Sequence, residues 1–235
     1  MPLLLVRFND LPHLLIQPGM KLRQAHGDIL VHRGFGDAES GGGAADGRAV
    51  RLVLSRTDDL TPIPMVAFLP QNAKGVPLLL FTDGKRTALA DDVRAALGEG
   101  RAVAVAEMRG FGETAKGSHS FYGAKRPDEE MAVMAISVGE NLAARRAEDA
   151  ALAARHFASM AGVDKVALAA RGAAAIPAAH AYFLERGLFA SFTTKNAPPS
   201  WHAVVNKPEL HFSFADTVYG ALKVYDWTDL KTAAK

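Results

Sequence analysis

Apolar positions along this chain follow two patterns. Alternation with polar residues marks strands with one wet face, and unbroken apolar runs mark strands covered on both faces. Arg48–Ser55 (RAVRLVLS) alternates, Asp58–Asp59 reads as a turn, and Ile63–Leu69 (IPMVAFL) follows, closed by Pro70, so this pair predicts an antiparallel hairpin. Val76–Thr82 (VPLLLFT) and Ala102–Glu107 (AVAVAE) are continuous apolar runs, as central parallel strands require. Between them Ala90–Leu97 predicts a short helix stopped by Gly98 and Gly100. Gly110–Lys125 reads as a glycine-rich loop, and Met131–Met160 as a long alanine-rich helical stretch broken near Gly139, restarting at Glu140 or Asn141.

The second half repeats the alternation. Lys165–Ala169 predicts a buried strand, followed by a sharp turn of small residues and a helix over Ala174–Arg186, stopped by Gly187. Phe189–Thr194 (FASFTT) predicts one more strand, then a helix near Trp201–Val205 and a helical tail over Ala215–Val224. Alternating strands and helices joined by short links predict a three-layer, doubly wound α/β fold. Its sheet is expected to be mostly parallel, with the antiparallel hairpin at its start.

The chain ahead of Arg48 is patterned differently. Pro2–Phe8 is a short apolar run and Asp28–His32 a further strand candidate, separated by Pro12, Pro18 and Gly19. Gly34–Gly47 is rich in glycine, alanine and acidic residues and predicts a flexible linker. The expected division is an arm at 1–33, a linker at 34–47 and an α/β domain at 48–235.

Composition narrows the function classes. The chain has 235 residues, 49% of them hydrophobic, which suits one α/β domain with a sizeable core. Net charge is only +2 and no basic stripe interleaves with aromatics, so nucleic acid is not an expected partner. No apolar run approaches the ~18 residues of a membrane span, and Arg7, Asn9 and Asp10 interrupt the opening apolar stretch, so neither a span nor a signal peptide is read. There are no cysteines, which excludes disulfides and thiolate chemistry. No HExxH, CxxC or clustered carboxylates call for a metal, and no phosphate loop calls for a nucleotide cofactor.

The order of these pieces resembles the α/β-hydrolase superfamily, acetyl xylan esterase-like members above all, over roughly 48–229. The carriers are Phe68–Leu69–Pro70, the strand-loop PLLLFTDGK (Pro77–Lys85), and AVAVAEMRGFGET (Ala102–Thr114), which is similar to that family's D-x-R-G-x-G-x-S/T segment. The helix bearing Arg145 and Asp149 and the tail VYGALKVYDWTDL (Val218–Leu230) complete the likeness. In that family the turn after this strand is a G-x-S-x-G elbow presenting a nucleophilic serine. Here Ala170 and Ala174 fall at the glycine positions and Gly172 falls where the serine would be. Glycine has no side chain with which to attack a carbonyl.

The resemblance therefore implies an esterase-type domain without its usual nucleophile. The alternative is an active carboxylic-ester hydrolase that uses another nucleophile or a partner chain. The chain ends at Lys235, before the two strands that carry the family's catalytic Asp and His. Those strands are expected either to be missing or to be supplied by residues 1–33, with Pro2–Phe8 in the slot beside Phe189–Thr194 and Asp28–His32 next to it. In that arrangement Asp10 and His32 are the candidate acid and base. A sheet ending at Phe189–Thr194 leaves a flat apolar edge, which a second copy, chain or domain would cover.

Four more residues are candidates for binding. Asp83 and Gly84 close a central strand, and their backbone N–H groups with that of Ala173 suit an oxyanion hole, beside the plain reading of a tight turn. Arg171 precedes the tip and suits either an anionic ligand or solvent. Arg145 and Asp149, spaced i, i+4, suit a structural ion pair or a tether to the Arg109 loop. His180 is expected to pack, and Ser200 with His202 is a conceivable dyad.

Overall fold

In a computed structural model the described residues are 29–33, 47–56, 58–115, 127–207 and 213–232. Among them lie seven strands: β1 (Ile29–Arg33), β2 (Gly47–Arg56), β3 (Ile63–Pro70), β4 (Leu78–Thr82), β5 (Val103–Ala106), β6 (Val166–Arg171) and β7 (Phe189–Lys195). They form one sheet in the order β1-β2-β3-β5-β4-β6-β7. The predicted hairpin is β2–β3, and β3 pairs antiparallel with β5. From β5 through β4 and β6 to β7 every pairing is parallel. This mixed α/β sheet with an N-terminal antiparallel hairpin is the expected α/β-hydrolase-like architecture.

Helices cover both faces because the central strands are apolar on both. In β4, Leu79 and Phe81 turn to one face and Leu80 to the other. The first face packs under α3 (Leu142–Ala161) and α4 (Ala175–Leu184), whose buried alanines, among them Ala150, Ala154, Ala175 and Ala178, let helix and sheet approach closely. The second face packs under α1 (Ala90–Gly98), where Leu80, Val103 and Val105 meet Leu89 and Ala96. The expected break in the long helical stretch separates α2 (Pro127–Ser137) from α3, and Asn141 caps α3 by accepting from Ala144 N–H at 3.0 Å.

Two expectations are corrected. The tail Ala215–Val224 is not a helix but two short 3₁₀ turns, Phe214–Asp216 and Ala221–Lys223, separated by Gly220 at φ +76°. Side chains hold this tail in place of a helical ladder. Trp201 Nε1 donates to Asp216 O at 3.1 Å, and Trp227 Nε1 donates to Pro199 O at 3.0 Å. Second, the strand expected at Asp28–His32, next to Pro2–Phe8 on the β7 side of the sheet, lies elsewhere: Ile29–Arg33 form β1, paired antiparallel with β2 at the opposite edge. Pairing with the alternating β2 extends the antiparallel half, where one face of a strand is free to meet solvent. The apolar run Pro2–Phe8 and residues 34–46 of the proposed linker lie outside the described residues.

Candidate functional site

β6 delivers the chain to the carboxyl edge of the parallel strands, the side on which open α/β sheets hold ligands. There Gly172 turns the chain at φ +61°, a left-handed conformation that L side chains rarely adopt. A single 3₁₀ turn, Gly172–Ala174, leads into α4, whose start is fully buried at Ala174 and Ala175. The backbone is thus a strand–sharp turn–helix with one residue at its tip.

Asp83, the first residue after β4, crosses to this tip. Ala173 N–H donates to Asp83 Oδ2 at 2.8 Å. A Cβ placed on Gly172 would lie 2.4 Å from both Asp83 carboxylate oxygens. The carboxylate therefore occupies the volume that any side chain at the tip would need. It also takes up the N–H that follows the tip, the donor that an oxyanion would use. Gly84 N–H is engaged too, donating to Thr82 Oγ1 at 3.2 Å. Two of the donors expected to form an oxyanion hole are thus held by acceptors of the chain itself.

A second cluster stands on the same edge, at the end of β5. Glu107 is buried, accepts from Glu113 N–H at 2.9 Å and lies 3.2 Å from Arg86 Nε, and Arg86 also pairs with Glu113. Burial pushes the Glu107 carboxyl above its usual range. Gly112, at φ +56°, is required here, because a Cβ on it would meet the Glu107 carboxylate at 2.3 Å. The Arg86–Glu107 pair ties the loop bearing Asp83 to the loop after β5.

Behind these loops Arg109 donates from its backbone N, Nε and Nη2 to the Asp149 carboxylate at 2.9, 2.9 and 2.5 Å. The expected tether from α3 to the Arg109 loop is present. Arg145 is not the partner of Asp149; it pairs with Glu140 and, at 2.9 Å, with Glu148. Arg146 is fully buried, donates to Arg109 O at 2.9 Å and lies over the Phe111 ring at 3.8 Å.

Arg171 donates to Ala88 O at 3.3 Å and pairs with Asp92 of α1. It lines a surface groove of about 300 Å³ between α1 and β6–β7, together with Thr193 and Lys195. His32 lies on β1 opposite Val53, at the edge farthest from β7, and Asp10 lies outside the described residues. His180 is buried in the packing, as expected. Its Nδ1 lies 2.8 Å from Ile176 O and its Nε2 3.0 Å from the Tyr225 hydroxyl. Burial pushes its pKa down to about 4 and pushes the Tyr225 phenol up. Ser200 is no partner for His202: its hydroxyl caps α5 (Trp201–Asn206) by accepting from Ala203 N–H at 3.1 Å, and His202 is exposed. Among the described residues no group of three or more His, Asp and Glu could hold a metal ion, and no helix is long and apolar enough to cross a membrane.

Sequence reasoning placed Asp83 at the site through its backbone and missed its side chain. The usable signal was a carboxylate set directly at the end of a central strand, where a backbone turn needs none. Arg86 was missed outright.

No family model matches the chain, and no curated protein matches it. Solved structures do. Acetyl xylan esterase 1 from Thermoanaerobacterium sp. JW/SL YS485 aligns with a TM-score of 0.55 and 14% identity, over 85% of this chain and 62% of that one. A protein of Bacteroides fragilis NCTC 9343, provisionally named an acetyl xylan esterase, aligns with a TM-score of 0.54 and 13% identity, over 78% and 51%. The chain spans less than two thirds of the length of either. Likeness at this identity is a likeness of fold: the chain has an α/β-hydrolase fold of the acetyl xylan esterase type.

Proposed function

We propose that this chain is a catalytically degenerate relative of acetyl xylan-type carboxyl esterases, serving as a binding or scaffolding domain and not as a hydrolase. The reading rests on one observation: the Asp83 carboxylate fills the space over Gly172 and holds the N–H of Ala173. Acyl transfer through an elbow needs a nucleophile at the tip and free donors beside it for the developing oxyanion. Gly172 brings no nucleophile to the tip, and two of the three donors named above already have acceptors within the chain. A carboxylate in the oxyanion position would also repel the negative charge that forms in the transition state. Residues 1–33 as an arm and 34–47 as a linker remain part of this proposal.

The test is turnover of p-nitrophenyl acetate by the full chain. The expected rate equals that of buffer with an inert protein at the same concentration. Saturable turnover would favour a carboxylic-ester hydrolase with another nucleophile, and would overturn this reading.

A further inference from the structure

We infer that the groove between α5 and the tail Thr217–Lys223 binds a medium-chain monocarboxylate, with the aliphatic chain laid in the groove and the carboxylate at Lys223. The groove shares no lining residue with the tip at Asp83 and Gly172, so the inference stands whether or not the elbow is catalytic. Its volume is about 410 Å³. Small-ligand sites span about 300–1,000 Å³, and a groove near the lower end of that range holds a short ligand.

Two segments make the walls. Trp201, Val204 and Val205 come from α5, and Val218, Ala221 and Leu222 from the tail. Trp201, Val218 and Ala221 are buried and form the floor, while Val205 and Leu222 are exposed at the mouth. Gly220 lines the groove without a side chain, and a Cβ there would meet no atom within 4 Å, so the space beside it is open.

Both walls are set before a ligand arrives. Trp201 N–H donates to Asp226 Oδ1 at 3.0 Å, and its indole Nε1 donates to Asp216 O at 3.1 Å. On the opposite wall Asn141 Nδ2 donates to Thr217 O at 3.0 Å, and Ala221 N–H donates to Val218 O at 3.1 Å. A preformed groove offers its apolar surface with little ordering left to be done on binding.

The lining selects the ligand. Only two of its side chains are polar, Thr217 and Lys223. The Thr217 hydroxyl is already engaged, donating to Phe214 O at 2.7 Å. Lys223 is exposed, is the one charge on the lining, and has no side-chain partner among the described residues. A ligand with several hydroxyls, or a peptide with its amides, would set polar groups against valine and leucine with nothing to pair them. An aliphatic chain suits that surface, and the ammonium of Lys223 is a compact point charge that neutralises one anionic group. The class that meets both demands is an aliphatic chain ending in one carboxylate.

The experiment titrates the full chain with octanoate brominated at its tail end and reads the quenching of tryptophan fluorescence, since bromine quenches an indole that it touches. The matching bromo-alcohol is the uncharged control. The variants are Lys223→Glu and Val205→Asp, with circular dichroism as the check on folding. Lys223 is exposed and Val205 is 67% exposed, so both are expected to fold. The wild type is expected to show saturable quenching with a Kd below ~1 mM. Lys223→Glu is expected to raise the Kd of the carboxylate at least about tenfold and to leave that of the alcohol unchanged. Val205→Asp is expected to weaken both. Quenching that does not saturate, or that either variant leaves as in the wild type, would overturn the proposal. A wild-type dimer in light scattering that Val205→Asp splits into monomers would assign the groove to a second copy, and would overturn it too.

Discussion

At the scale of single residues, the site turns on Gly172 and Asp83. A serine at the tip would bring its Cβ to 2.4 Å from both Asp83 oxygens, at φ +61°. Gly172→Ser is expected to destabilise the chain by about 1–3 kcal/mol in urea unfolding, and to leave p-nitrophenyl acetate hydrolysis at background. Adding Asp83→Gly is expected to recover part of that loss, since the obstruction goes with the carboxylate. Full stability in the single variant would show that the Asp83 contact is not tight. His180 supports a second prediction at this scale. Its folded pKa of about 4 lies below the 6.5 of an unperturbed histidine. Below pH 6.5 the unfolded chain takes up a proton that the folded chain refuses, so stability falls as pH drops from about 6.5 toward 4. The slope reaches about 1.4 kcal/mol per pH unit. Urea unfolding across that window, for wild type and His180→Phe, checks it, and the variant's curve is expected to be flatter.

At the scale of elements, the loop after β5 is pinned to α3 by Arg109 and Asp149. Removing Asp149 takes three hydrogen bonds from Arg109 and leaves it Asp59 alone, at 2.9 Å, in a site where Asp149 is 2% exposed and Arg109 11%. Asp149→Ala is expected to cost about 3–5 kcal/mol in urea unfolding, whereas Arg94→Ala, in an exposed pair with Asp91, is expected to cost under about 1 kcal/mol. How far the chain could be read before its structure was known follows from the range of the forces involved. β2 through β7 were legible because unbroken apolar runs and alternating ones report burial on two faces or one, a local property. The helix break at Asn141 was legible because a cap is local too. The Asp83–Ala173 contact was not, since it joins residues far apart in the chain through the order in which strands lie side by side. The Glu140 partner of Arg145 is local, five residues back, and was hidden because several carboxylates lie within reach of that arginine. Gly220 could have warned that no helix runs through Ala215–Val224, but the apolar spacing around it masks the interruption. The placement of β1 was open because a short apolar strand suits either edge of a sheet, and nothing in Ile29–Arg33 chooses between them.

At the scale of the whole molecule, a helix-covered sheet carries at its carboxyl edge, among the described residues, a carboxylate folded onto a helix start. The loops that would frame a substrate are instead tied to one another: Asp83 to Ala173, Arg86 to Glu107, Arg109 to Asp149. Such a lattice of ties suits a rigid surface better than a site that must admit substrate and release product. The most direct measurement is the intact mass of the full chain after exposure to an excess of a fluorophosphonate, which traps activated serines covalently. The account predicts an unchanged mass, with an active serine esterase labelled in parallel as the control. A stoichiometric adduct, mapped to any serine of this chain, would contradict it.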